Sequence, residues 1–192
     1  MSSKIVRKEK QTTSLYDFLI NFAYAFVKVL RIDFMLTFKR VTSDHQDFVE
    51  LIRLLDQDLY SRYNKGQAEY DKYNKIEFID TVIVAYHENQ AMACGCFKKY
   101  NDTTIEIKRM FVKPEMRGRG IAKRILLELE SWGIQQGFSK SILETGTGQP
   151  EAINLYEKLG YKRIPNYDQY AGMPESVCME KNIHLRPANI AT

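Results

Sequence analysis

One short stretch of the sequence combines glycines and arginines in a way that suits phosphate binding. Arg117-Gly118-Arg119-Gly120 lies between a predicted strand and a predicted amphipathic helix. Glycines let the backbone approach a ligand closely, and the free N–H groups at a helix start face a bound anion with the support of the helix dipole. Arg117 and Arg119 add positive charge. The stretch predicts a pyrophosphate cradle; a tight connection with solvated arginines is the structural alternative.

The elements around this turn predict a mixed α/β sheet. Alternating apolar residues between turn residues predict strands, and apolar residues three or four positions apart predict helices. Three consecutive strands joined by tight turns form an antiparallel meander before the Gly-rich turn. The predicted order is β-α-β-β-β-α-β-α-β-β. The predicted strands are 35–41, 81–86, 91–100, 103–112, 141–144, 161–164 and 176–181, and the predicted helices are 44–63, 121–136 and 150–159.

The first 34 residues differ from the rest of the chain. They carry six Lys or Arg against three Asp or Glu, a net charge of 6 − 3 = +3 out of +4 for the whole sequence. Apolar residues at helical spacing between Leu15 and Leu36 predict an amphipathic helix, but charged residues interrupt the run, so we reject a membrane-spanning helix. A convincing signal-peptide cleavage site is also missing. We divide the chain into an extension over 1–34, a domain over 35–184 and a tail over 185–192.

Composition narrows the class of protein further. The chain has 192 residues, of which 44% are hydrophobic and 27% charged, as in an ordinary globular domain. A net charge of +4 is too small to indicate nucleic-acid binding. Cys94, Cys96 and Cys178 form no Cys-x-x-Cys pair and the histidines are scattered, so we expect no metal. Unpaired, buried thiols fit a reducing compartment, and we expect a cytoplasmic protein.

Two motifs resemble those of the GCN5-related N-acetyltransferase (GNAT) superfamily. The sequence RGRGIA over 117–122 is a full match to the family's acetyl-CoA motif, Gln/Arg-x-x-Gly-x-Gly/Ala. The sequence LYEKLGY over 155–161 is similar to the family's Leu-Tyr-x-Lys-x-Gly-Phe/Tyr signature. The resemblance covers roughly residues 35–182. It implies a mixed, mostly antiparallel central sheet flanked by helices, with the N-terminal helix as an addition, and transfer of an acetyl group from acetyl-CoA to a primary amine.

The resemblance also implies the residues that hold acetyl-CoA. The backbone of residues 110–112 is expected to hydrogen-bond the pantetheine arm as an added strand would, and the amides of residues 118–123 are expected to hold the pyrophosphate. Gln149 stands where many members have an asparagine, with the same amide on a longer side chain. The predicted acetyl-CoA-binding residues are Met110, Phe111, Val112, Arg117, Gly118, Arg119, Gly120, Ile121, Ala122, Lys123, Gln149 and Tyr156.

Three residues are candidates for proton transfer. Tyr156 matches the family's tyrosine near the thioester sulfur and is expected to act as general acid on the leaving thiolate; packing under the sheet is its structural alternative. An amine must lose a proton to attack, and Glu106 and Glu144 lie on strands among apolar neighbours, where relatives keep a catalytic glutamate. The structural alternatives are an ion pair with Lys98 or Lys108 for Glu106, and a bond to backbone N–H groups for Glu144.

Acceptor selectivity is expected in two segments that are rich in tyrosine and amides. Such side chains suit a small polar amine, an amino acid or a peptide N-terminus, although polar loop surface is the simpler interpretation of each residue. The candidates are Tyr63, Gln67, Tyr70, Tyr73, Asn74, Tyr167 and Tyr170. The amine acceptor is the partner we predict; we expect neither nucleic acid nor membrane contact, and a homodimer stays open.

A second interpretation places the chain in a different class. A catalytically silent acyl-CoA-binding module would keep the Gly-rich turn and make partner or membrane contact through its N-terminal helix. Such a module would tolerate the loss of Glu106, Glu144 and Tyr156. All three are present, which favours the enzyme.

Overall fold

The computed structural model describes residues 36–63 and 78–184, together with Ile20. In these ranges the elements follow the predicted order. The strands are β1 (Leu36–Val41), β2 (Val82–His87), β3 (Gln90–Lys99), β4 (Thr104–Val112), β5 (Lys140–Gly146), β6 (Lys162–Ile164) and β7 (Ser176–Asn182). The helices are α1 (Gln46–Tyr63), α2 (Ile121–Gln135) and α3 (Pro150–Lys158). The predicted N-terminal helix, the tail and the candidates Gln67, Tyr70, Tyr73 and Asn74 lie outside the described residues.

The strands form one mixed sheet in the part of the chain that the structure describes. Its order is β1-β2-β3-β4-β5-β7-β6, with β4 and β5 parallel and every other neighbouring pair antiparallel. Strands β2, β3 and β4 form the predicted meander, β1 pairs antiparallel with β2, and α2 supplies the crossover that a parallel pair requires. The predicted fold class, a mostly antiparallel sheet flanked by helices, is confirmed.

Helices cover both faces of the sheet because each carries an apolar stripe. The buried residues of α1, including Phe48, Leu51 and Leu55, pack with Cys94 and other side chains of the central strands. In α2, residues at helical spacing are fully or almost fully buried, and they pack on the opposite face. Each such side chain contributes about 1.5–3 kcal/mol by leaving water. These two layers hold the middle of the sheet rigid on both sides.

β4 and β5 pair along only part of their lengths. The parallel ladder runs from Thr104 opposite Lys140 to Ile107 opposite Leu143, although β4 continues to Val112 and β5 continues for three more residues. Beyond this point β4 keeps its pairing with β3 alone. We call the opening between residues 108–112 and 144–146 the wedge. On the wedge side, the backbone of β4 has no strand partner among the described residues.

A β-bulge in β4 lies where the wedge begins. Cys94 is opposite Phe111 and Cys96 is opposite Lys108, so two steps along β3 match three steps along β4. Arg109 takes up the extra residue with a φ of 57°, in the left-handed region that a non-glycine residue seldom adopts. Bulges of this kind redirect side chains and end regular pairing.

The bulge changes which side of the sheet the following side chains reach. Strict alternation would place Lys108 and Arg109 on opposite faces. Instead both lie on the α1 side. Lys108 is opposite Cys96, which belongs to the hydrophobic cluster between α1 and the sheet (the α1 core), and Arg109 binds Asp56 of α1. Met110 then lies on the α2 side, against Gly95.

Candidate active site

The Gly-rich turn forms one end of a groove of about 630 Å³, which we call the outer groove. Gly118 and Gly120 both have a φ of 75°, a conformation that favours glycine, and no atom lies within 4 Å of where a Cβ would sit on either. Gly120 is the N-cap of α2, and no side chain caps that helix start. The first-turn amides and the open backbone therefore have the features expected of a phosphate cradle. The lining also includes Met110, Phe111, Val112, Arg117, Ile121, Ala122, Lys123 and Tyr156.

The two arginines of the turn are held by the protein itself. The Arg117 Nε donates to the Val112 carbonyl at 2.9 Å, and the Arg119 Nη2 donates to the Glu115 carbonyl at 3.1 Å. Both arginines are exposed, so each combines a bond to the turn with contact to solvent. Both retain further N–H groups, since a guanidinium has five.

A chain of ion pairs joins the elements around the outer groove. Asp58 on α1 lies 3.3 Å from the Arg117 Nη2 and 3.1 Å from the Arg62 Nε. Arg62 lies 2.6 Å from Glu151 on α3 and also donates to the Gly148 carbonyl. Sequence reasoning missed this chain because Arg117 and Glu151 are far from Asp58 and Arg62 in sequence. It connects α1 with both the Gly-rich turn and the start of α3.

A smaller cavity of about 120 Å³ adjoins the outer groove, and we call it the inner cavity. The two share Leu55, Met110, Gln149, Ala152 and Tyr156. The other residues around the inner cavity are Leu59, Tyr63, Ile107, Lys108, Arg109, Glu144, Thr145, Gly146 and Glu175. Charged and titratable groups therefore line the inner cavity directly beside the outer groove.

Tyr156 lies where the outer groove meets the inner cavity. The residue is only 6% exposed, and its ring packs edge-on against Tyr161 at 5.7 Å between ring centroids. Burial, and then the charge of Glu144, raise the pKa of Tyr156. The hydroxyl therefore stays protonated at neutral pH, as a proton donor requires. Tyr156 therefore both packs against Tyr161 and lines the inner cavity.

Glu144 lines the inner cavity from β5. The Ser176 hydroxyl donates to its Oε1 at 2.7 Å. Burial raises the pKa of Glu144, while the hydrogen bond from Ser176 and the charge of Lys108 oppose part of that shift. A carboxylate with a raised pKa accepts a proton more readily near neutral pH. The contact to a hydroxyl replaces the backbone contacts that formed its structural alternative.

Glu106 does not line either cavity, but its ion-pair partner Lys108 lines the inner cavity. Its Oε1 accepts from the Lys108 Nζ at 3.4 Å and from the Tyr167 hydroxyl at 3.1 Å. The Lys108 Nζ also donates to the Tyr170 hydroxyl at 3.1 Å. The predicted pairing of Glu106 with Lys108 is therefore present, although Lys108 lies two residues along the same strand. Lys98 is directly opposite Glu106 in the β3 register.

The structure thus separates the predicted acceptor-binding tyrosines. Tyr63, at the end of α1, lines the inner cavity and packs against Gly146 and Gly148. Tyr167 and Tyr170 surround the Glu106–Lys108 pair and line neither cavity. Their rings pack edge-on against each other at 5.5 Å.

Gln149 lies at the N-terminal end of α3 and lines both cavities. Its Oε1 accepts from the Thr145 hydroxyl at 3.2 Å and from the Gly146 amide at 3.4 Å. Because β5 engages the oxygen, the amide nitrogen is the end of the side chain suited to donate to a ligand.

Sequence reasoning missed Arg109 as a residue of the inner cavity. Its side chain is only 8% exposed, and its Nη1 lies 2.7 Å from the Asp56 carboxylate. Its Nε is buried and has no hydrogen-bond partner among the residues that the structure describes. No sequence signal predicts this position, since alternation along β4 directs Arg109 to the other face.

Three further features of the described residues concern metal-binding clusters, membrane-spanning helices and paired cysteines. Within residues 36–63 and 78–184, no group of three or more His, Cys, Asp or Glu side chains is placed to hold a metal ion. No helix in the same ranges combines the length and apolar character needed to cross a bilayer. The three cysteines are unpaired and buried, as predicted.

Comparison with known proteins identifies the family. A model of the acetyltransferase (GNAT) family matches residues 48–161. An IAA acetyltransferase from Azospirillum brasilense is 32% identical over 137 residues, which is 69% of this chain and 88% of that protein. The chain belongs to the GNAT family of acetyltransferases and is an acyltransferase.

Solved structures agree with this assignment. A Klebsiella pneumoniae protein described as an acyl-CoA N-acyltransferase superposes with a TM-score of 0.65 and 26% identity, over 78% of this chain and 99% of that one. A GNAT family acetyltransferase from Elizabethkingia anophelis, solved with acetyl-CoA bound, has a TM-score of 0.56 at 17% identity, over 77% of this chain and 98% of that one. The second likeness concerns the fold alone.

Proposed function

We propose that this protein is an acetyl-CoA-dependent N-acetyltransferase that moves an acetyl group to a primary amine by direct attack. One observation carries the proposal. The outer groove is lined by the uncapped start of α2, by residues 110–112 on the unpaired edge of β4 and by Tyr156, and it shares Tyr156 with the inner cavity, which Glu144 lines. A linear acyl thioester fits a groove of this form, and an amine fits the cavity.

Acetyl-CoA would occupy the outer groove in a defined direction. Its pyrophosphate would bind the amides of residues 118–123, where the turn is open and the helix start lacks a cap. Its pantetheine arm would hydrogen-bond the backbone of residues 110–112, which has no strand partner on the wedge side among the described residues. The thioester would then lie beside Tyr156 at the junction of the two cavities.

The chemistry follows from the two groups at that junction. The amine attacks the thioester carbonyl carbon, a C–N bond forms, and the nitrogen gives a proton to Glu144 directly or through water. The tetrahedral intermediate then expels sulfur, and Tyr156 donates a proton to the leaving thiolate. Solvent returns the proton from Glu144 to Tyr156, so the products are the N-acetylated amine and CoA thiol. No covalent enzyme intermediate is needed.

We assign the base to Glu144 rather than Glu106. Glu144 lines the inner cavity and has a raised pKa because it is buried. Glu106 lines neither cavity, and its carboxylate is held by Lys108 and Tyr167. We also propose a cytoplasmic location, supported by three buried, unpaired thiols, which suit a reducing compartment.

The test follows release of CoA thiol from acetyl-CoA with a panel of amines, amino acids and peptides, together with calorimetric binding of acetyl-CoA. Turnover that is lost in Glu144→Gln and retained in Glu106→Gln supports both the reaction and the choice of base. Tight binding of acetyl-CoA with no turnover across the panel would favour the silent binding module. A folded protein that does not bind acetyl-CoA would overturn the cradle.

A further inference from the structure

We propose that the acceptor is an α-amino acid, and that Arg109 binds the carboxylate next to its reacting amine. This inference rests on the proposed function, and it concerns the substrate class of the inner cavity. It starts from Arg109, a buried cation that the β4 bulge brings to the cavity wall.

The Arg109 guanidinium is fixed by one ion pair, but not all of its N–H groups have a hydrogen-bond partner among the described residues. Asp56 binds the Nη1 at 2.7 Å, and this contact fixes the group from the α1 side. The buried Nε has no partner among the described residues. The Nε–H and one Nη2–H point in parallel along one edge of a guanidinium, and this edge matches the two oxygens of a carboxylate. A buried donor normally has a partner, so the unsatisfied Nε indicates a ligand with acceptor oxygens.

The second cation of the cavity does not compete for that role. Lys108 also lines the inner cavity, but its ammonium group donates to both Glu106 and the Tyr170 hydroxyl. Burial acts to lower the pKa of Lys108, but Glu106 and Tyr170 outweigh burial and raise it overall, so the group stays charged within its own network. Arg109 therefore remains the cation suited to an incoming anion.

The charges of the inner cavity match an amino acid in two places. Glu144 lines it as the proposed acceptor of the amine proton, and Arg109 lines it as a fixed positive charge. An amino acid carries its amine and its carboxylate on one carbon, so it presents opposite charges to these two groups. A simple alkylamine or a polyamine would leave the Nε unpaired and would set a positive charge against Arg109. A peptide N-terminus has no carboxylate beside its amine.

The test compares amino acids with their C-terminal amides, which differ only in that carboxylate. Release of CoA thiol is measured for glycine, L-alanine, L-leucine, L-methionine and L-phenylalanine, and for the amide of each. In the wild type, kcat/KM for the acid is expected to exceed that for the amide by roughly tenfold to a hundredfold, as for a charge-assisted hydrogen-bonded pair. Arg109→Gln is expected to reduce that ratio by about tenfold or more. The matched control is Arg53→Gln, which removes an exposed arginine of α1 that lines neither cavity.

Several outcomes overturn the inference without touching the proposed function. Equal kcat/KM of the wild type for amides and for acids would overturn it. Turnover of alkylamines or peptides, with no amino acid accepted, would also overturn it. An unchanged ratio in Arg109→Gln would do so too. If Arg109→Gln does not fold by circular dichroism, Arg109→Lys takes its place, because lysine keeps the charge and loses the fork, and its ratio should fall as well.

A binding measurement separates the two proposals. N-acetyl-L-leucine and its amide are titrated calorimetrically into the protein loaded with CoA. Binding of the acid at least about tenfold more tightly than the amide supports the carboxylate site even if no amine is turned over, an outcome that would refute the proposed function alone. Equal affinities for the two probes would refute the carboxylate site.

Discussion

The substitution Gly95→Ala offers a direct test of the packing that shapes the wedge. Gly95 lies on β3 at the point where the register shifts opposite the β4 bulge. A Cβ on this residue would lie 2.4 Å from the Met110 Sδ, 2.9 Å from the Ile125 Cγ2 and 3.1 Å from the Leu129 Cδ1. Ordinary contact begins near 3.4 Å, so these atoms must retreat by between 3.4 − 3.1 = 0.3 Å and 3.4 − 2.4 = 1.0 Å. Ile125 and Leu129 are fully buried and have little room to do so.

We expect Gly95→Ala to lower the free energy of unfolding by about 1–3 kcal/mol, the usual cost of overpacking a core. For a chain of this size, that corresponds to a fall in Tm of roughly 2–12 °C. Affinity for acetyl-CoA should also fall, because the methionine that must move belongs to the backbone segment proposed to hold pantetheine. Urea denaturation followed by circular dichroism measures the first effect, and calorimetry measures the second.

Gly133→Ala is the matched control. Its Cβ would meet one side-chain end, the Ile105 Cδ1, at 2.7 Å, and its other neighbours lie at an ordinary 3.6 Å. Alanine also stabilises a helix interior by about 0.8–1.0 kcal/mol relative to glycine. Gly95→Ala should therefore be at least about 1 kcal/mol more destabilising than Gly133→Ala. Equal effects of the two substitutions would refute the argument that the β3–α2 contact is closed on all sides.

Three further predictions concern the reaction and the thiols. Glu144→Gln should lower kcat by roughly 10²–10⁴-fold with little change in acetyl-CoA affinity, whereas a larger loss in Glu106→Gln would reassign the base. Because the ionised form of Glu144 is the base and its pKa is raised, kcat/KM should fall as the pH drops through that pKa. Ser176→Ala should move this acid limb to higher pH, because the hydrogen bond from Ser176 holds the pKa down; a limb that stays in place would contradict the assignment. Burial raises the pKa of Cys96 to about 12 and that of Cys94 well above its usual range, so Ellman's reagent should label both slowly in the native protein and rapidly in urea. Fast native labelling would show that the α1 core opens readily.

The order of the elements was predictable because it depends on local periodicity. Apolar residues at positions such as Phe48, Leu51 and Leu55 fall on one face of a helix whatever surrounds it, and each is buried. Strand ends were off by one or two residues: β5 begins at Lys140 rather than Ser141, and it continues past Glu144 to Gly146. These ends depend on which neighbouring strand is available for pairing, and a single sequence does not contain that information.

The candidate site was predictable where a motif fixes the backbone. The glycines of the turn adopt the open conformation that their residue type allows, and Tyr156 and Glu144 both line the inner cavity. Arg109 was missed because a bulge reverses the alternation on which strand predictions depend. Tyr167 and Tyr170 were chosen for composition, but the fold brings their hydroxyls to a buried ion pair, a contact between distant segments.

The wedge also bears on how the protein avoids aggregation. A strand with unpaired backbone groups can template the addition of another chain, and proteins usually protect such edges at the rim of a sheet. Here the unpaired segment of β4 lies inside the sheet, and side chains of α1 and α3 line the groove that leads to it. An extended polypeptide that paired with this segment would have to pass between side chains of those two helices. The unpaired edge of β4 therefore lies inside the sheet rather than at its rim, where strand-to-strand association between molecules would begin.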